Sequence, residues 1–412
     1  MLPSSNVEGI RSQIPATRKF IYLNTGWQGP SPLCVSQAVQ AAFEAEAEGP
    51  TAPPHNERRR AVFRQARQAL AGLIGATPQE VSLQQNTTEG INIVLGGLGL
   101  RPGDEVITCS LEHPSVVVPA YYARQRQGVA LKIVRLSAGD SPTDILAKFE
   151  AEATPALKLI AVSHIAYAGG LILPIRELCR LAHDRGGYLL LDAAQSVGQI
   201  PVAAGELDCD FCAFPGHKWL LGPAATGALF VRRDLIERLQ PPKVSHHASE
   251  FYNFSGEFRP KVDDISKFEL TTVSVPLLAG LNAAIDFIRD IGLETVRDHA
   301  VRLARYATER LSRVRGIRLV SVADPEAVAS GLVSFSLPQV SPQIMTAYLW
   351  EQSRIVARTV PDAGCTRLSL HVFNTEAEVD AVLELVEELA RTGSPVRAFP
   401  TAQLEWQTMV EL

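Results

Sequence analysis

Tyr188–Gly227 reads YLLLDAAQSVGQIPVAAGELDCDFCAFPGHKWLLGPAATG, and the reading of the whole chain turns on it. An apolar run, Tyr188–Leu191, ends in Asp192, and Gln195 follows three residues later. A second run, Cys209–Phe214, leads into Pro215-Gly216-His217-Lys218-Trp219. Runs that are apolar throughout are strands covered on both faces, as in a parallel sheet with helices on each side. The polar groups of such sheets gather at the carboxyl ends of the strands. Asp192 and Lys218 therefore read as neighbouring strand-end residues.

Short apolar segments alternating with helical patterns extend this reading in both directions. Val81–Leu83, Glu105–Thr108, Leu131–Val134, Leu157–Ser163 and Gly227–Val231 read as further strands, and Val116–Arg126 and Arg176–Arg185 as helices between them. The pattern is that of an α/β domain with a largely parallel sheet. Glu57–Gly75 reads as a helix whose Arg58–Arg60 triplet lies on a solvated face. Beyond Pro241 the chain turns polar and irregular up to Phe268. It then becomes helical from Pro276 to Arg315, and mixes strands and helices from Leu319 to Ala390, as a smaller α+β domain would. The stretch after Thr392 carries Pro395 and Pro400 and has no clear pattern.

Composition narrows the function. The 412 residues are 46% hydrophobic and 20% charged, an ordinary globular balance. At ~150 residues per domain the length suggests two to three domains. A net charge of −5 gives no general electrostatic reason to bind nucleic acid or an anionic membrane. No 18-residue apolar run and no signal-peptide pattern is present, so no membrane span is expected. Six cysteines without a disulfide spacing point to a reducing cytoplasm. Cys209-Asp210-Phe211-Cys212 reads as a buried structural pair, since no second ligand pair accompanies it. No metal site is expected. His246–His247 reads as part of a loop near the mouth of the site.

No P-loop pattern occurs, and the glycines of Gly96–Gly99 do not form GxGxxG. A lysine at a strand end in apolar surroundings is a Schiff-base candidate, because burial disfavours its ammonium form. An aspartate on the adjacent strand can hold a pyridine nitrogen protonated. Together they are what pyridoxal 5'-phosphate (PLP) requires of a protein. The alternative is an ordinary ion pair at a sheet edge.

Asp192–Gln195 (DAAQ) and Gly216–Phe230 (GHKWLLGPAATGALF) resemble the fold type I, class V aminotransferase-like PLP enzymes. That group includes cysteine desulfurases, cysteine/cystine C–S lyases and isopenicillin N epimerases. The resemblance runs from about Tyr22 to Ala390. It implies a mainly parallel, seven-stranded-type PLP domain over 18–275, and a smaller C-terminal α+β domain over 276–412 that includes residues 1–17. It also implies roles. Lys218 is the Schiff-base lysine and, once released, the base. Asp192 pairs with the pyridine nitrogen, and Gln195 bonds the phenolic oxygen. His113, in Leu111-Glu112-His113-Pro114, stacks on the cofactor ring as a second catalytic residue. Thr87 and Thr88 hold the phosphate at a helix N-terminus, with His217 reaching it too. Thr272, in Glu269-Leu270-Thr271-Thr272, serves the phosphate of the other subunit, which implies a homodimer with shared sites. Arg367 clamps the α-carboxylate of an amino-acid substrate, a task suited to its planar fork. Taken singly, His113 reads as a helix-start residue, Thr87 and Thr88 as capping residues, and Arg367 as a strand charge.

Within that group the sequence favours the lyase-like branch. The stretch Val356–Arg367 is short and lacks the histidine–cysteine element after Arg358 that a desulfurase nucleophile needs; Cys365 falls within the expected strand. Tyr167 stands where asparagine is usual and is expected in the substrate pocket. Tyr22–Pro30 resembles a substrate-side loop containing Asn24. Arg358 takes the place of a second substrate-contacting arginine, suited to a second carboxylate such as that of cystine; the alternative is a surface pair with Asp362. β-Elimination giving pyruvate and ammonia is the expected reaction. Desulfuration, epimerisation, transamination and a non-catalytic regulator or scaffold are the alternatives.

Overall fold

The computed structural model describes residues 4–393. Seven strands form the main sheet: β1 (Val81–Gln84), β2 (Glu105–Cys109), β3 (Ala130–Val134), β4 (Leu157–Ser163), β5 (Tyr188–Asp192), β6 (Phe211–Pro215) and β7 (Gly227–Val231). Their order is β1-β7-β6-β5-β4-β2-β3. All pairings are parallel except the two that β7 makes, with β1 and with β6. β6 and β7 are therefore joined by a tight connection instead of a crossover helix, and that connection carries His217 and Lys218.

Register then aligns the chemistry. Ser163 of β4 pairs with Asp192 of β5, which pairs with Ala213 of β6. Helices cover both faces. Phe149, Phe214, Trp219 and Ile160 pack on one side of the sheet, and Phe211, Ile91, Val106 and Leu190 on the other. Helix Thr87–Gly97 starts where the Asn86 side chain accepts the Glu89 N–H at 2.9 Å, satisfying one of the free donors of a helix N-terminus.

A second core lies under a four-stranded antiparallel sheet: β8 (Arg318–Leu319), β9 (Leu332–Ser336), β10 (Arg358–Val360) and β11 (Cys365–Ser369), in the order β8-β9-β11-β10. The N-terminal segment joins this part: Ile21–Tyr22 pairs in parallel with Ile355–Val356, and Asn24 bridges to Ser369. The helical stretch read from Pro276 to Arg315 is two helices, Val275–Ile291 and Leu293–Ser312, interrupted at Gly292, where φ is +89°. The irregular segment after Pro241 contains a hairpin, Ser249–Tyr252 against Phe258–Pro260. Its period was hidden because both strands are mostly exposed. Most of the tail after Thr392 lies outside the described residues. Among those described, no helix is long and apolar enough to cross a membrane.

Glu269 fastens this frame next to the site. Its buried carboxylate accepts the Leu83 N–H of β1 at 2.7 Å and holds Arg67 at 2.8 and 2.9 Å. Replacing Glu269 with Ala leaves Arg67 and an amide without their partner. It should lower unfolding stability by about 3 kcal/mol or more, read as a lower urea midpoint. Arg60→Ala, at an exposed pair, should change it by less than about 1 kcal/mol.

Candidate active site

The connection between β6 and β7 is pinned from three directions. The Gly29 N–H donates to the His217 carbonyl at 2.8 Å, the Leu221 N–H to the Lys218 carbonyl at 3.0 Å, and His371 Nε2 to the Trp219 carbonyl at 3.0 Å. Gly29 is required for the approach, since a Cβ there would sit 2.3 Å from the Lys218 carbonyl oxygen. Burial drives the Lys218 amine down to about 8; Asp192 opposes the shift, and Arg367 and Arg358 add to it.

Asp192 is buried and accepts one hydrogen bond, from the Ala194 N–H at 2.8 Å. Burial raises its carboxyl, while Lys218 and that N–H pull the other way. Gln195 donates through Nε2 to the Gly26 carbonyl at 2.9 Å and accepts the Trp219 indole N–H at 2.9 Å. Behind them lies Glu112, which accepts from Ser163 through N (2.9 Å) and Oγ (2.5 Å) and from the Cys109 thiol at 3.2 Å. Burial pushes the Glu112 carboxyl up to about 7.

Two adjoining cavities, of about 210 and 340 Å³, open over this floor. Thr87 and Thr88 line the first at the N-terminus of their helix, beside His217, whose buried Nδ1 has no partner. His113 caps the next helix. Its Nδ1 accepts the Ser115 N–H at 3.1 Å and lies 2.7 Å from Ser115 Oγ. Burial, then Lys218, Arg367 and Arg358, hold its imidazole down to about 3, so it is neutral with the proton on Nε2. Its ring meets Tyr167 edge to face at 5.0 Å.

The second cavity holds the cations. Arg367 of β11 is 2% exposed and donates to the Tyr167 carbonyl at 2.8 Å, while its Nε has no partner. Gly26 leaves room for it: a Cβ there would lie 2.9–3.1 Å from Ser369 Oγ, Gln195 Oε1 and Arg367 Nη2. Arg358 stacks over the Trp27 ring, 4.0 Å from its centroid. The Tyr167 hydroxyl donates to Asp362 at 3.3 Å.

Ten of the sequence-selected residues thus meet around the two cavities: Lys218, Asp192, Gln195, His113, Thr87, Thr88, His217, Tyr167, Arg358 and Arg367. Two do not. Asn24 is buried but lines neither cavity; Gly26 and Trp27 from the same loop do. Thr272 is exposed, with φ +62°, and faces neither cavity of its own chain. Sequence does not single out Ser163, Ser115, Glu112 and Trp27, and it names Asp362 only as a surface partner for Arg358, whereas Asp362 lines the second cavity. Only Glu112 carried a signal, as an acid between an apolar strand and a site histidine. Cys209 and Cys212 are buried. His246 and His247 lie in a short 3-10 turn, His246–Ala248, and line neither cavity. Among the described residues no cluster could hold a metal ion.

The family model for "Aminotransferase class-V" matches residues 21–382, the span that carries all of these residues. The chain belongs to the aminotransferase class-V family. This class-V chain is 31% identical over 402 residues to a probable cysteine desulfurase of Methanothermobacter thermautotrophicus, covering 94% of this chain and 98% of that one. It is 29% identical over 405 residues to the isopenicillin N epimerase of Amycolatopsis lactamdurans (92% and 98% covered). Among solved structures, the cystine C–S lyase C-DES in complex with cysteine persulfide matches with a TM-score of 0.84 at 28% identity, covering 91% of this chain and 99% of that one.

The cofactor of this family is PLP, and the residues present fit it. A buried carboxylate with a single hydrogen bond, an amine at reduced basicity and an unpartnered imidazole nitrogen beside a helix N-terminus border one cavity. An amine attacks an aldehyde only when neutral, and a lowered value enlarges the neutral fraction at a given pH. PLP uptake by the apoprotein, followed by visible absorbance, should therefore accelerate as pH rises towards about 8 and level off above it. A rate that climbs steadily to pH 10 would show that Lys218 keeps ordinary lysine basicity.

Proposed function

We propose that this chain is a PLP-dependent enzyme that cleaves the Cβ–S bond of cysteine, cystine or a cysteine S-conjugate by β-elimination. The observation that carries the reading is the placement of thiols: among the described residues no cysteine lines either cavity. Cys365 is buried in β11, and burial pushes its thiol up to about 11. Persulfide-forming attack on the substrate needs an accessible thiolate; elimination needs none.

PLP, when bound, supplies an electron sink for the substrate's Cα–H bond electrons. In this proposal Lys218 would anchor the cofactor through its amine and would serve as the base for the substrate's Cα proton. Asp192 holds the pyridine nitrogen protonated and Gln195 donates to the phenolic oxygen. His113 covers the ring as a neutral imidazole. Thr87, Thr88 and His217 bind the phosphate, with Thr272 reaching the site of a second copy, which suits its exposure and makes the enzyme a homodimer. Arg367 binds the α-carboxylate in bidentate fashion. Arg358 and Tyr167 border the substrate's sulfur side, and Arg358 suits the distal carboxylate of cystine. The Cβ–S bond would break with its electron pair leaving on sulfur, which takes up a proton, and water would hydrolyse the released three-carbon enamine to pyruvate and ammonia.

Desulfuration is the second reading, and the names of the relatives support it better than elimination. It is favoured by curated relatives of that name, including one from Pyrococcus abyssi at 27% identity over 403 residues. The two readings differ in product. PLP-loaded enzyme given L-cysteine and L-cystine without reductant or keto acid should release pyruvate in excess over enzyme. Alanine in its place would establish desulfuration and exclude elimination. Arg367→Ala should retain PLP and lose about 10²-fold or more in kcat/KM, since a buried charge-assisted pair is removed.

A further inference from the structure

We infer that Trp219, the residue following Lys218, is a positioning residue that sets which end of the Gln195 amide faces the cofactor. The inference rests on the proposed role of Gln195 toward the phenolic oxygen. An indole N–H can only donate and a peptide carbonyl can only accept. Trp219 Nε1 lies 2.9 Å from one end of the amide, and the Gly26 carbonyl 2.9 Å from the other. The end facing Trp219 must be oxygen and the end facing Gly26 must be nitrogen. The amide nitrogen carries two hydrogens, and Gly26 takes one. The second remains for an acceptor in the cavity that Gln195 lines together with Lys218 and Asp192.

Without the indole donor, the amide loses one of the two contacts that distinguish its ends, and the Gly26 carbonyl alone is left to hold the nitrogen end. An amide turned about would present oxygen to the Gly26 carbonyl and, in one arrangement, an acceptor to an oxyanion. Trp219 is therefore a polarity key for its neighbour.

The key is itself held rigidly. Trp219 is fully buried and stacks on His371 at 5.7 Å and 20°, which stacks on Phe373 at 5.3 Å and 19°. His371 Nδ1 accepts the Val372 N–H at 2.8 Å, leaving Nε2 to donate to the Trp219 carbonyl. The backbone of Gln195 is fixed separately, by Gln199 Nε2 on its carbonyl at 2.7 Å. Both rings of the stack beyond Trp219 come from the segment that leaves β11, the strand of Arg367. The substrate-clamp strand and the cofactor amide thus share one rigid support.

The test measures the pH midpoint of the visible absorption change in PLP-loaded protein, with PLP content per chain as the check on loading. A donor to the phenolic oxygen stabilises its anion, so losing the donor moves the midpoint up. Gln195→Leu should raise it by about one pH unit, and Trp219→Phe should raise it in the same direction by at least about half of that. In the Gln195→Leu background, Trp219→Phe should add no further shift, because it acts through the amide. β-(3-Benzothienyl)alanine at position 219 keeps the bicyclic shape without the N–H and should reproduce the Trp219→Phe shift if that variant folds poorly. A shift with Gln195→Leu but none with either change at 219 overturns the inference and leaves the role of Gln195 standing. No shift with Gln195→Leu overturns both.

Discussion

Three consecutive carbonyls, of His217, Lys218 and Trp219, are each gripped by a donor from a different part of the chain. A lysine has a flexible stem with about 2 kcal/mol of rotamer entropy, so its amine is only as well placed as the backbone beneath it. The grip comes from the N-terminal loop at Gly29, from the turn itself at Leu221, and from the segment that follows β11 at His371. Leu221 pays for the turn with φ +60°, an unfavourable conformation for a leucine. The reversal of β7 against six like-directed strands lets this connection, residues 216–226, return without a crossover helix. Everything else about the site is arranged around the one residue it presents.

Burial then sets the charge states. Lys218, Arg358 and Arg367 converge on a region where water is scarce, and each depresses the basicity of its neighbours. His113 responds by staying neutral. Asp192 is the counterweight: buried, singly hydrogen-bonded, and at the end of the strand next to that of Lys218. The Glu112–Ser163 bonds tie the His113 loop to the end of β4, so the two sides of the cavity cannot drift apart independently.

Much of this was written locally in the sequence. The strands were visible because a doubly covered sheet demands unbroken apolar runs, and the end of each run pointed to Asp192 and the Lys218 turn. Residues whose meaning depends on distant partners were not visible. Trp27 becomes a wall only because Arg358, from another sheet, lies on it. Glu112 is a brace only because Ser163 comes into register beside it. Asn24 belongs to the same loop as the lining residues, yet the turn at its carbonyl presents Gly26 and Trp27 to the cavities. Gly292 divides a helical stretch whose periodicity continues on both sides, and the exposed hairpin after Pro241 had no buried face to mark it.

The strand at Ile21–Tyr22 has a further effect on how the molecule comes into being. Its partners lie near the other end of the chain, and the Asn374 side chain that bonds the Tyr22 carbonyl is 352 positions away. Such closures are slow, because a long loop must be ordered before the contact repays it. During synthesis Ile21–Tyr22 waits unpaired until Ile355–Val356 has emerged. The loop behind it, with Gly26, Trp27 and Gly29, waits as well. Until that pairing forms, the parallel sheet can collapse but the pocket is unfinished, and Lys218 gains its setting only when Ile21–Tyr22 has met Ile355–Val356.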